Sequence, residues 1–172
     1  MHKQLTLVLG GIASGKSARA EALARATGNP LVYLATAEAH DTEMAAKIAR
    51  HRSARGPGWH TVEAPLAAAE VLRGLTPGHT VLFDCATMWL TNHLLAGHDL
   101  AAEQHGLLSA LAACPADIVV VSNEVGLAGV PENALARRFA NAQGALNQAL
   151  AAAADRVILV TAGLPLTLKD RA

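Results

Sequence analysis

The chain has 172 residues in which fourteen Lys and Arg balance fourteen Asp and Glu, and 52% hydrophobic against 16% charged residues excludes a disordered chain. Zero formal charge, with no basic stripe interleaved with aromatics, also argues against a nucleic-acid partner. The length predicts one domain over residues 1–172 with a substantial core. No apolar run reaches the roughly 20 residues of a membrane span, and the apolar stretch after Met1-His2-Lys3-Gln4 is too short for a signal peptide. A cytoplasmic protein is the expectation, with Cys85 and Cys114 as two reduced thiols.

Short apolar, β-branched runs alternate with longer alanine-rich stretches, which predicts an α/β fold: a mostly parallel sheet with helices on both faces. The first strand, 5–9, runs into Gly10-Gly11-Ile12-Ala13-Ser14-Gly15-Lys16-Ser17, and a helix over 16–26 follows. Gly, four residues, then Gly-Lys-Ser between a strand and a helix is a phosphate-binding loop. Its glycines let successive N–H groups turn inward toward phosphate oxygens, and the helix start adds partial positive charge. Lys16 is expected on the β- and γ-phosphates and the Ser17 hydroxyl on Mg²⁺, so the chain is expected to bind a nucleoside triphosphate.

A second strand at 31–35 runs out into Thr36-Ala37, whose small side chains permit close approach to a nucleotide or simply form a β-to-α turn. The helix predicted over 42–54 carries Met44, Ile48 and His51 at helical spacing, with Lys47, Arg50, Arg52 and Arg55 around them. Cations at a helix C-terminus complement its dipole. Alternatively, guanidiniums hold a triphosphate and keep the His51 imidazole neutral, as a nucleophile must be. A short strand near 60–63 ends in Glu63, with Trp59 nearby, which suits either the N1–H and N2–H₂ edge of guanine or a plain surface contact.

After a helix over 66–73, the strand at 80–84 closes on Asp84, either a Mg²⁺-site carboxylate or the N-cap of a helix over 87–95. A helix over 101–112 precedes the strand at 117–122. Asn123 and Glu124 then either orient a substrate or metal, or cap the loop that leads to Gly129-Val130-Pro131. A helix over 133–153 and a strand over 156–161 complete the elements read from the sequence.

Together these residues resemble one family, the bifunctional adenosylcobinamide kinase/adenosylcobinamide-phosphate guanylyltransferases of cobalamin biosynthesis. The likeness runs in order from Gly10-Gly11 and Ser14-Gly15-Lys16-Ser17 through Tyr33-Leu34-Ala35-Thr36-Ala37, His51-Arg52 to Arg55, Glu63, Asp84-Cys85 with Trp89 and Asn92. It continues through Asn123-Glu124-Val125-Gly126, Val130-Pro131-Glu132-Asn133, Arg137 with Phe139, Gly144 with Asn147-Gln148, and Ala154-Asp155. Ala13 stands where the family often carries Arg, and the 126–129 loop is looser than the usual Gly-x-Gly-Ile spacing.

The resemblance implies a RecA-like phosphate-loop fold, a homotrimer, and two reactions. ATP or GTP phosphorylates the aminopropanol arm of adenosylcobinamide, a corrinoid. A histidine, here His51, then attacks the α-phosphate of GTP and passes GMP to the cobinamide phosphate. It also implies a nucleotide site built from Gly10 to Ser17, Thr36, Ala37, Glu38, Arg52, Ser53, Ala54, Arg55, Glu63 and Asp84, with Mg²⁺ on Ser17 and Asp84. A plain small-molecule kinase and a nucleotide-dependent binding module are the alternatives from other classes.

Overall fold

The computed structural model describes residues 3–39 and 42–171. Seven strands form one sheet in the order β3-β2-β4-β5-β1-β6-β7, where β1 is Leu5–Gly10, β2 Leu31–Ala35, β3 Trp59–Glu63, β4 Thr80–Asp84, β5 Asp117–Asn123, β6 Arg156–Thr161 and β7 Leu164–Asp170. The first six strands pair in parallel, and β7 runs antiparallel along β6. Between them lie the helices α1 (Lys16–Ala26), α2 (Thr42–Arg55), α3 (Ala68–Arg73), α4 (Ala86–Leu95), α5 (Leu100–Ala113) and α6 (Ala134–Ala153).

Strand side chains alternate between faces, and both faces are apolar here because both are covered. Leu5, Leu7, Leu9, Leu34, Phe83 and Val120 pack with residues of α3 to α6, among them Leu72, Trp89, Leu111 and Leu146. On the other face Val8, Leu82, Val119 and Ile158 pack with Ala20 and Ala24 of α1. The alanines of α1 let that helix lie close to the sheet, which is how the alanine-rich composition is used.

The predicted elements are present with adjusted ends. Helix α3 starts at Ala68, two residues later than expected, and α6 starts at Ala134 because Asn133 caps it, its Oδ1 accepting from the Leu135 and Ala136 N–H groups at 2.8 and 3.2 Å. Strand β7 was not read from the sequence. It returns from β6 through Ala162-Gly163, whose φ angles of 52° and 77° are those of a two-residue hairpin turn. Leu164, Leu166 and Leu168 on this edge are all more than half exposed.

One buried polar cluster fixes the end of β5. The Ser122 hydroxyl donates to Asn147 Oδ1 at 2.6 Å, and Gln143 Nε2 donates to both Ser122 Oγ and Asn147 Oδ1 at 2.9 Å. Asn147 Nδ2 in turn donates to the Asn123 carbonyl at 2.9 Å. Removing one partner leaves buried groups unpaired, at about 1–3 kcal/mol. Asn147→Ala is therefore expected to lower the unfolding free energy by about that amount, read from the midpoint of urea denaturation.

Candidate active site

Parallel strands deliver their carboxyl ends to one edge of the sheet, and ligands of such sheets bind beyond that edge. Gly10 of β1 is level with Asn123 of β5, and Asp84 of β4 is level with Ala35 of β2. Beyond these ends lies a pocket of about 650 Å³ that Lys16, Ser17, Tyr33, Arg55, Glu63 and Asp84 help to line. That volume is within the common range of small-molecule sites.

The loop from Gly10 to Ser17 is shaped by its glycines and by its neighbours. A Cβ on Gly10 would stand 2.6 Å from the Val160 carbonyl oxygen, so only glycine lets β1 leave the sheet beside β6. Gly15 has a φ of 93° and is the N-cap of α1, while Ile12 and Ala13 stand exposed on the crest. Ser14 is buried under the loop, and its carbonyl accepts from the Gly163 N–H at 2.8 Å. The Lys16 ammonium curls over the loop to donate to the Gly11 carbonyl at 2.9 Å, and Ser17 opens the helix beside it.

Asp84 is held from below and from the side. The Tyr33 hydroxyl donates to its Oδ2 at 2.9 Å, and the Arg55 guanidinium stacks 3.2 Å above the Tyr33 ring. Burial, together with the Asp84 charge, pushes the Tyr33 phenol far above its usual range, so it stays a neutral donor. Arg55 is itself buried, and its backbone carbonyl accepts from the Arg25 guanidinium, which also lies over Trp59. The alternative role for Asp84 as a helix cap is excluded: the residue capping α4 is Cys85, whose Sγ accepts from the Met88 N–H at 3.4 Å.

Of the remaining expected residues, Ala37 and Glu38 line the pocket and Thr36 does not. Thr36 is fully buried behind the wall, its hydroxyl donating to the Cys85 carbonyl at 2.7 Å and accepting from the Cys85 N–H at 2.8 Å. The hydroxyl is thus engaged with the backbone: a threonine at a strand end offers it to a neighbouring peptide group as readily as to a ligand. Ser53 is exposed on α2 and is not among the pocket residues. The side chains of His51, Arg52 and Ala54 lie outside the described residues.

Asn123 lines the pocket, whereas the Glu124 carboxylate accepts from the Gly126 N–H at 2.7 Å and so shapes the loop. Trp89 and Asn92 hold the pocket rim from behind. The indole donates to the Leu66 carbonyl at 3.2 Å, and Asn92 Nδ2 donates to the Thr36 and Pro65 carbonyls at 2.8 and 3.0 Å. Sequence reasoning did not single out Tyr33, Cys85 and Met88 as pocket residues. A lone tyrosine two residues before the end of an apolar strand was the available signal for the first.

The fold is that of the RecA-like phosphate-loop nucleoside triphosphatases. Two solved structures share it: the RadB recombinase, at a TM-score of 0.53 and 17% identity over 91% of this chain and 73% of that one, and an ATPase of a bacterial type III secretion system, at 0.58 and 12% over 98% and 57%. A family model described as cobinamide kinase / cobinamide phosphate guanyltransferase matches residues 6–168. The bifunctional adenosylcobalamin biosynthesis protein CobP of Pseudomonas aeruginosa is 46% identical over 166 residues, 95% of this chain and 96% of the relative. Its counterpart CobU of Escherichia coli is 40% identical over 96% of this chain and 99% of the relative. The chain belongs to the cobinamide kinase / cobinamide phosphate guanyltransferase family of enzymes.

Cys85 lines the same pocket without the chemistry of a nucleophile. Loss of water around the sulfur, and secondarily the Asp84 carboxylate, pushes its thiol up to about 11. The thiolate is therefore scarce below that pH. Alkylation of Cys85 by iodoacetamide at pH 8 is expected to run roughly 100-fold slower than that of an ordinary exposed thiol, followed by peptide mass spectrometry.

Proposed function

We propose that this enzyme phosphorylates adenosylcobinamide with ATP or GTP and then transfers GMP from GTP to the product, through a guanylyl-histidine at His51. The observation that carries this reading is the convergence of Lys16, Ser17, Arg55, Glu63 and Asp84 on one pocket, in a chain of this family. The two cations suit a triphosphate, and Glu63, exposed at the end of β3, suits the donor edge of guanine.

In the kinase reaction the corrinoid hydroxyl attacks the γ-phosphorus, the bond to the β,γ-bridging oxygen breaks, and the nucleoside diphosphate leaves. Lys16 stabilises the charge on the β- and γ-oxygens. Ser17 and Asp84 offer the hydroxyl and carboxylate oxygens that Mg²⁺ prefers, and when bound there the ion would neutralise phosphate charge. Tyr33 holds the Asp84 carboxylate in place by donating to one of its oxygens.

In the second reaction the His51 imidazole attacks the α-phosphorus of GTP, forming an N–P bond as pyrophosphate departs. A phosphate oxygen of the cobinamide phosphate then displaces the imidazole and takes the GMP. Spacing supports His51: Ile48 and Arg55 both line the pocket, and position 51 lies three residues after one and four before the other on α2. Positions so spaced share a helix face. Arg52 and Arg55 would hold the triphosphate during the attack.

Assembly as a homotrimer and a cytoplasmic location belong to the same reading. The exposed leucines of β7 are the kind of apolar edge that association covers. No helix among the described residues is long and apolar enough to cross a membrane.

The test is a paired assay on folded His51→Ala. Labelling of the protein from α-³²P GTP, as an acid-labile and base-stable adduct, is expected to vanish together with GMP transfer, while γ-phosphate transfer to adenosylcobinamide persists. An adduct retained by the variant moves the nucleophile elsewhere, and equal loss of both reactions makes His51 a binding residue only.

A further inference from the structure

Outside the pocket, the corner between α4 and α5 brings three side chains of metal-ligating type together. His93 Nδ1 and His98 Nδ1 are 2.9 Å apart, and the Glu103 carboxylate oxygens stand 3.7 Å from the first and 3.8 Å from the second. His93 is buried, whereas the His98 side chain is 41% exposed. These three residues form the one group of at least three such side chains found among the described residues with all ligand atoms within 4.8 Å of one another.

The backbone builds this arrangement. Gly97, with a φ of 73°, ends α4 in a left-handed turn in which the His98 N–H donates to the His93 carbonyl at 3.1 Å and the Gly97 N–H to the Leu94 carbonyl at 3.2 Å. His98 is thereby folded back over His93. Asp99 then caps α5, its Oδ1 accepting from the Ala101 and Ala102 N–H groups at 3.0 and 3.3 Å, which aims the first turn, and Glu103 with it, at the same point.

The tautomer of His93 is also set. Its Nε2 lies 3.2 Å from the Leu66 carbonyl, which can only accept, so the proton sits on Nε2 and the Nδ1 lone pair points at His98 and Glu103. An imidazole whose far N–H is anchored on a carbonyl is the arrangement that orients histidine for a metal. Two ligand nitrogens at about 2.0–2.1 Å from a tetrahedral ion stand about 3.3 Å apart, a few tenths wider than the pair observed. A small opening of the exposed His98 side and a comparable approach by Glu103 would complete three ligands, leaving a fourth position for water.

We propose that His93, His98 and Glu103 form a binding site for a divalent transition-metal ion of the zinc class, separate from the nucleotide pocket. Two imidazoles and one carboxylate favour zinc, cobalt or nickel over magnesium, whose ligands are all oxygen. The ion cross-links the end of α4 to the start of α5. Through His93 and its Leu66 contact it also braces the segment whose Pro65 lines the pocket rim.

The probe is Co²⁺, titrated into the metal-stripped full chain with excess Mg²⁺ present to occupy oxygen-donor sites. The proposal expects one equivalent to give the intense visible bands of a four-coordinate ion, and one equivalent of Zn²⁺ to abolish them. His98→Ala and Glu103→Gln, each checked for native circular dichroism, should weaken binding by more than about 100-fold, since even an outer partner of a ligand is worth about 10–100-fold. His105→Ala, an exposed histidine of α5, should leave it unchanged. Absence of the bands in the wild type, or their persistence at wild-type affinity in His98→Ala, overturns the proposal and leaves a hydrogen-bonded histidine pair.

Discussion

The hydrogen bond from Tyr33 to Asp84 is the contact around which the pocket is organised. It joins β2 to β4 at the edge where the strands end, and it gives a carboxylate on that edge a defined direction. Arg55 closes the arrangement from above by stacking on the same ring, which brings the last turn of α2 down onto the sheet. A phenol kept neutral by burial donates its proton without competing for negative charge. A guanidinium on its face neutralises part of the charge that Asp84 carries into the pocket.

The rest of the site depends on strand ends that do not shift. The Ser122, Gln143 and Asn147 cluster holds β5 where Asn123 emerges, and Thr36 with Asn92 fixes the wall formed by β2 and α4. These groups never face the pocket, yet each satisfies backbone or side-chain atoms that would otherwise be buried without partners. Rigid support of this kind suits a site in a family whose members are named for both a kinase and a guanyltransferase reaction.

The phosphate loop was legible because its glycines, Lys16 and Ser17 form a local pattern with one steric purpose, and Asp84 because an apolar strand closed by a carboxylate is conspicuous. The backbone partners of Thr36 were not legible, since sequence does not tell a hydroxyl that meets a ligand from one that meets the Cys85 backbone. The β7 hairpin passed unread because Ala162-Gly163 lacks the Asn-Gly or Asp-Gly pair that announces such turns, although Ala162 adopts the required positive φ. Residues 93, 98 and 103 follow neither helical nor strand spacing. Only the left-handed turn at Gly97 and the cap at Asp99 bring them together.

In the proposed reading one pocket at the carboxyl ends of the strands, with Lys16 in its lining, receives the nucleoside triphosphate. Isothermal titration of GTP with Mg²⁺ into the wild type and into folded Lys16→Ala tests it most directly. One site per chain is predicted for the wild type, with binding roughly 10–100-fold weaker in the variant, the scale of a lost charge-assisted hydrogen bond. Equal affinity in the two proteins would mean that Lys16 does not hold the triphosphate.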